Sequence, residues 1–411
     1  MSGSAVGKLA QVYRRFGEVD AAGVSPLYER VAVAVSASDE ALRAIEAAPA
    51  RKRNPAVILA ALHDLALAGR APELAEAYAA ADGDAAAAAA IDTLLRMTES
   101  VVAIAVRRQV RADETGRGAV LYPAIAEVAR RVGAEAVGLI DVGGSAGLNL
   151  TVDRVGITYD NARVRGDAER GGRTGGRARS GNGAYGGEPS MGGTGAEARS
   201  GDGADGGRSL GAAEGGGQVL GDPGSPARVA CAVVGERAVP DRVMPGVVAR
   251  VGVGLDLVDV TDPDEARWLR ACVWPDQGER GARLDAELAL AAAEPAVLMR
   301  GDAVEVLPEA IARVPAGALP VVTTTWALSR VPLESRLRFL RRLDEAATGR
   351  AVAWVSVEGV GVAPAIPTFG DRPASGHSII GLAVFEHAAL HAESVGRCWS
   401  RGRMLSWLAD A

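Results

Sequence analysis

Between residue 1 and about residue 112, apolar positions recur every three or four residues, the spacing that lays one apolar stripe along a helix. SPLYERVAVAVSAS, ALRAIEAA, NPAVILAALHDLALAG, PELAEAYAAA and AAAAAAIDTLLRMTESVVAIAVRRQV all carry it, which predicts an all-helical N-terminal domain over 1–112. Pro26, Pro55 and Pro72 fall near the starts of such segments, where a missing N–H costs little, and Gly69 and Gly83 are expected at their ends. From about residue 119 the pattern changes. VLYPAIAEVARRVG reads as a helix and AVGLIDVGG as a short apolar strand. VVARVGVGLDLVDV, PAVLMRGDAVEVLP, LPVVTTTWAL and RAVAWVSVEGVG follow as strand-like runs. Between them lie the helix-like DEARWLRACVWP, ARLDAELALAAAE and PLESRLRFLRRLDEAATG. This alternation predicts an α/β domain over 113–165 and 227–411, a mostly parallel sheet covered on both faces. The C-terminal HSIIGLAVFEHAALHAESVGRCWSRGRMLSWL is expected to add two strands as an antiparallel pair at the sheet edge.

Residues 166–226 follow neither period. Glycine dominates, with a near-repeat, ARSGNGAYGG at 178–187 and ARSGDGADGG at 198–207. So little apolar surface cannot offset the entropy of ordering, so a disordered insertion is expected. Glycine–arginine segments can bind RNA, but acids offset these arginines and Tyr185 alone offers a stacking face, which leaves a tolerated surface insertion as the competing reading.

The formal net charge of −6 lacks the basic excess that draws a chain to nucleic acid or an anionic membrane. Cys231, Cys272 and Cys398 are far apart and odd in number, which argues against a disulfide framework or zinc knuckle. With no signal-like N-terminus and no stretch long enough to span a bilayer, a soluble cytoplasmic protein is expected. His63, in an apolar helical stretch, reads as a core histidine. His377, His387 and His391 lack metal-ligand spacing, so no metal site is expected.

The candidate chemistry begins at LIDVGGSAGLNL, residues 139–150, where a strand ends on an acid and a glycine-rich turn follows. A nucleotide-binding turn needs glycine for the bend, small residues for backbone approach to a ligand, and a small residue for close helix packing. Asp141, Gly143, Gly144, Ser145 and Gly147 meet those needs, with Ser145 where glycine is often found; a plain strand–helix corner would use the same residues. Asp256 follows the next long strand, where a carboxylate can accept from ribose hydroxyls, with Asp259 competing for the role. Asp302 follows the strand after that, placed to accept from an adenine amino group or to cap a helix. The three are expected to meet around one adenosyl-sized hollow at the carboxyl edge of the sheet.

The order DVGGSAG, GLDL, GDA, TTTWAL, WVSVEG resembles a class I S-adenosylmethionine-dependent methyltransferase core. More closely, the chain resembles an uncharacterised bacterial family, domain of unknown function 2332. SPLYERVAVAV, ETGRGAVLYPAIAEVAR, DVGGSAGLNLTVDR, VGLDLVDVTDP, ARWLRACVWPDQGER, RGDAVEVLP, WVSVEG and the terminal SWL carry that likeness. It departs from the family at residues 111–117, RADETGR, where a Gln-Thr-Asn-Glu-like stretch is usual. The resemblance implies a Rossmann-like, methyltransferase-type sheet. It also implies S-adenosylmethionine as cofactor, held by Asp141, Gly143, Gly144, Ser145, Gly147, Asn149, Asp256 and Asp302.

Four residues are then candidates for a small-molecule substrate. Glu114 and Arg117 precede the helix leading into the glycine strand, where Arg117 either pairs with a ligand carboxylate or bridges to an acid of the chain. Thr324 and Trp326 belong to the polar patch Thr323-Thr324-Thr325-Trp326 after a later strand, where substrate commonly enters such sites, and Trp326 reads equally well as core. Glu358, at the end of WVSVEG, is the candidate catalytic base. Two rival readings keep the same crevice: a non-catalytic ligand-binding or regulatory protein, and an enzyme performing another transfer.

Overall fold

The computed structural model describes residues 5–111, 115–161 and 217–409; Glu114 and glycine-rich residues 166–216 lie outside the described residues. The N-terminal segment forms α1 (Ala5–Arg15), α2 (Pro26–Ala37), α3 (Asp39–Glu46), α4 (Pro55–Leu67), α5 (Pro72–Ala79), α6 (Gly83–Arg96) and α7 (Thr98–Arg107). Pro26, Pro55 and Pro72 are each the first residue of their helix. The Ser25 and Asn54 side chains accept from Tyr28 N and Val57 N, which caps α2 and α4. Gly69 closes α4 at φ +69°, but Gly83, expected at a helix end, opens α6. Asp82 decides this by accepting from the backbone N–H groups of Asp84 and Ala85.

The second part runs α8 (Gly118–Arg131), β1 (Ala136–Val142), β2 (Gly156–Asn161), β3 (Gln218–Gly221), β4 (Arg228–Val233) and β5 (Gly246–Gly254). It continues with α9 (Pro263–Ala271), α10 (Gly278–Ala293), β6 (Val297–Arg300), α11 (Ala303–Ala312), β7 (Leu319–Thr325) and α12 (Leu333–Ala346). It ends with β8 (Val352–Gly359), β9 (Ser378–Glu386), β10 (Ala389–Trp399) and β11 (Met404–Trp407). Among the described residues these strands form one sheet of eleven, in the order β3-β2-β4-β11-β10-β9-β8-β7-β1-β5-β6. Five neighbouring strands, β6-β5-β1-β7-β8, are mutually parallel. The protein is thus a mixed α/β fold with a large, mostly parallel sheet and helices at the N-terminus. Side chains alternate across the sheet. Val137, Leu139, Val321, Val355 and Val357 pack under α8, while Ile140, Val322, Val352 and Trp354 pack under α11 and α12.

Four expectations change. Residues 303–308, read as the tail of a strand, begin α11, because the Asp302 side chain accepts from Val304 N and starts a helix there. The C-terminal antiparallel pair β9–β10 lies inside the sheet, since β11, β4, β2 and β3 extend it beyond β10. Residues 217–226, grouped by composition with the glycine-rich segment, include β3, which pairs antiparallel with β2. The helical core is not built from 1–112 alone: Trp268 and Ala271 of α9 belong to it, and Trp268 Nε1 donates to Gln109 O at 2.9 Å. His63 is a core residue of this layer. Its Nδ1 lies 3.2 Å from Ala271 O, and burial brings its pKa down to about 4, so it is neutral. Among the described residues no helix is long and apolar enough to cross a membrane.

Candidate functional site at the carboxyl edge of the sheet

After β1 the chain first forms β2, β3 and β4 at the far end of the sheet, then adds β5 and β6 on one side of β1 and β7 and β8 on the other. Strand order therefore reverses at β1, the position where open α/β sheets place a ligand crevice at the carboxyl ends of their strands. The glycine turn leaves β1 there. Gly143 has φ +82° and donates its N–H to Val253 O of β5 at 2.9 Å; Gly147 has φ +68° and begins the helical turn over 148–154. A side chain at Gly143 would lie 2.6 Å from Ala327 Cβ, and one at Gly144 would lie 1.9 Å from Asp141 Oδ2. Both glycines are thus required by the protein's own packing. Ser145 O accepts from Val258 N at 2.7 Å, tying the glycine turn to the loop after β5.

Asp141 is 1% exposed. Asn149 Nδ2 donates to both its oxygens, at 3.2 and 3.1 Å, and Thr323 Oγ1 donates at 2.8 Å. Asn149 Nδ2 also lies 3.1 Å from Thr325 Oγ1, which accepts from Arg117 Nη1 at 2.9 Å. A buried polar chain therefore joins β1, the 148–154 turn, β7 and the start of α8 on one face of the sheet. Arg117 lies over the Trp326 ring at 5.2 Å, and Trp326 Nε1 donates to Ser378 Oγ at 2.8 Å. Trp326 itself has φ +53°, a strained left-handed conformation for a bulky residue, and such strain persists only where surrounding contacts hold it. Thr325, a member of the polar patch 323–326, and Ser378, missed from the sequence, are part of this site. Ser378 had no local signal.

Thr324 and Glu358 face the other way. Thr324, a substrate-binding candidate from the sequence, is fully buried, with its Oγ1 accepting from Trp354 Nε1 at 3.0 Å. Glu358 is 1% exposed, and its Oε1 accepts from Ala327 N and Leu328 N at 3.0 and 3.1 Å, which holds the turn after β7. Its Oε2 has no partner in normal hydrogen-bond geometry, although the Thr324 hydroxyl lies near enough to favour the charge slightly. Burial dominates and pushes the carboxyl up to about 7.

Asp256 is exposed after β5, on the same edge. Asp302 is exposed after β6 and accepts from Val304 N at 2.9 Å, so it is a helix cap. Asp302→Ala should cost about 1 kcal/mol in denaturant unfolding and leave small-molecule affinity unchanged. The shallow hollow beside Gly147 is lined by Leu150, Val258, Asp259, Glu294 and Leu298 among others. Neither Asp256 nor Asp302 lines it. Asp259 takes the position beside the turn, its carboxylate held below the usual range by hydrogen bonds from Thr261 Oγ1 and N. Among the described residues no three His, Cys, Asp or Glu side chains gather as a metal site.

The family model described as an uncharacterized protein conserved in bacteria, DUF2332, matches residues 10–180 and 210–407. The chain belongs to that family. The match spans both the helical layer and the sheet, so the polar chain around Asp141 lies inside the DUF2332 region. No curated protein and no solved structure matches this DUF2332 chain.

Proposed function

We propose that the crevice binds S-adenosylmethionine and that the protein transfers its methyl group to a small molecule, on a Rossmann-like, methyltransferase-type sheet. The observation that carries this reading is the glycine turn at the strand-order reversal, flanked by Asp256 and Asp259 after β5 and by Trp326 after β7. In this reading the backbone at Gly143–Gly147 approaches the methionine part, and Asp259 or Asp256 takes the ribose hydroxyls. Asp141 acts one step back: its carboxylate positions Asn149 and the turn. Methyl transfer needs in-line approach of the acceptor and a group to take its proton. Glu358 is the carboxyl to test for that task, with its pKa near 7.

One observation favours the non-catalytic alternative. Glu358 lies across the sheet from Arg117 and Asp141, so it is not beside a ligand bound on the α8 face. Thermal unfolding with S-adenosylmethionine and S-adenosylhomocysteine tests both readings. Ligand at a hundredfold excess over its Kd should add about 2.7 kcal/mol of stability. A folded protein with no shift at millimolar ligand rejects the cofactor. Binding without turnover over a broad acceptor panel leaves the binding protein.

A further inference from the structure

We infer that Arg117 holds the carboxylate of a small-molecule ligand through its Nε/Nη2 edge. Three other arginines show what this chain does with that edge. Arg130 gives it to Glu127, Arg250 to Glu294 and Arg397 to Asp371, each with both nitrogens on the carboxylate. Arg117 is 6% exposed. Its Nη1 bonds Thr325 Oγ1 and, at 3.3 Å, Thr325 O, while its buried Nε has no partner and Nη2 makes no hydrogen bond among the described residues. No carboxylate among the described residues forms an ion pair with it. Glu287 turns its Oε1 to Gly116 N at 3.0 Å, and Asp141 is linked to Arg117 through Asn149 and Thr325.

A guanidinium taken out of water without a counter-charge is costly, and a planar two-oxygen anion on the unpartnered edge resolves the cost. The start of α8 adds to this preference: its first turn holds no acid, and Arg117, its N-cap, makes no side-chain cap. Trp326 backs the guanidinium and fixes its plane, so the fork is preorganised. The ligand class is therefore a carboxylate-bearing small molecule. The carboxylate belongs either to the methionine part of S-adenosylmethionine or to the acceptor, and in the first case the inference rests on the cofactor reading above.

The test is calorimetric titration of wild type, Arg117→Lys and Arg117→Gln. The probes are S-adenosylhomocysteine, 5′-methylthioadenosine (the same nucleoside without the amino-acid carboxylate), and a panel of aliphatic mono- and dicarboxylates with their amides. Carboxylates should bind Arg117→Gln roughly thirtyfold or more weakly than wild type, with Arg117→Lys recovering only part because it lacks the fork. Ligands without a carboxylate should not distinguish the three proteins. Loss confined to S-adenosylhomocysteine assigns the carboxylate to the cofactor; loss confined to nucleoside-free acids assigns it to the acceptor. If neither nucleoside binds but a simple carboxylate does, and needs Arg117, the inference stands and the cofactor reading falls. Two results overturn it: no carboxylate that distinguishes wild type from folded Arg117→Gln, or, should that variant not fold, a folded Arg117→Lys that binds every probe as wild type does.

Discussion

Glu358→Gln is expected to be more stable than wild type at pH 8 and no more stable at pH 4.5. The carboxyl is pushed up from 4.5 to about 7 by burial, so the folded state prefers it protonated. Between pH 4.5 and 7 the unfolded chain gives up this proton and the folded chain keeps it. The unfolded state then binds fewer protons, and stability falls as pH rises. By pH 8 the loss is about 3 kcal/mol, since each tenfold difference in proton affinity between the two states is worth about 1.36 kcal/mol. Glutamine mimics the protonated acid, since its one carbonyl oxygen can still accept from Ala327 N and Leu328 N. The difference in Tm between variant and wild type should therefore grow from near zero at pH 4.5 to several degrees at pH 8, by scanning calorimetry at half-unit steps. A difference that stays flat across this range would mean that Oε2 is better solvated than its burial implies. The same variant separates structure from catalysis. If Glu358 accepts the proton during transfer, activity disappears as stability rises, the trade expected of a group kept for function. If Glu358 only holds the turn after β7, activity survives.

The sequence reading fails where local pattern has no say. Periodicity alone located the N-terminal helices, because Pro26, Pro55 and Pro72 mark starts that no competing period contradicts. It misplaced residues 303–308 because Val304, Val306 and Leu307 suit a strand or a helix equally, and the Asp302 cap settles the choice. Nothing near β11 announces that it pairs in parallel with β4 through Met404–Ala232 and Leu405–Val233, so the C-terminal strands could not be placed inside the sheet from their own residues. The site was legible to the same degree. The glycine turn and the threonine patch fall at strand ends, where patterning puts them, but patterning does not say which of Thr323, Thr324 and Thr325 faces the crevice. The pleat sends Thr323 and Thr325 to Asp141 and Arg117, and Thr324 to Trp354. The hollow beside Gly147 takes Asp259 for a further reason. Ser145 O and Val258 N bond directly, which brings Asp259 rather than Asp256 beside the turn, and a contact 113 positions apart has no sequence signature.

Gly144→Ala is expected to destabilise the fold by about 3–5 kcal/mol, the cost of breaking a buried, hydrogen-bonded charge. Gly144 does not occupy the left-handed region, so alanine carries no backbone penalty there and the effect isolates sterics. The new Cβ would sit 1.9 Å from Asp141 Oδ2 and 3.0 Å from its Cγ. The carboxylate cannot swing aside cheaply, because Asn149 and Thr323 hold it in place at 1% exposure. A double-mutant cycle with Asp141→Ala identifies the cause. Asp141→Ala alone should also destabilise, by removing the acceptor shared by the Asn149 amide and the Thr323 hydroxyl. In that background Gly144→Ala should cost little, giving a coupling energy of roughly 2 kcal/mol or more in urea unfolding. Additive losses would show that Gly144 is constrained by something other than this carboxylate. The outcome bears on function, because small residues in such turns are ordinarily explained by close approach of a ligand. If the cycle couples as expected, Gly144 is small for the sake of Asp141, and that carboxylate in turn fixes Asn149, Thr325 and, through Thr325, the guanidinium of Arg117. The turn's sequence would then report the rigidity of the arginine fork at the far end of the chain of hydrogen bonds, and ligand selectivity should degrade in Gly144→Ala even at temperatures where the protein stays folded.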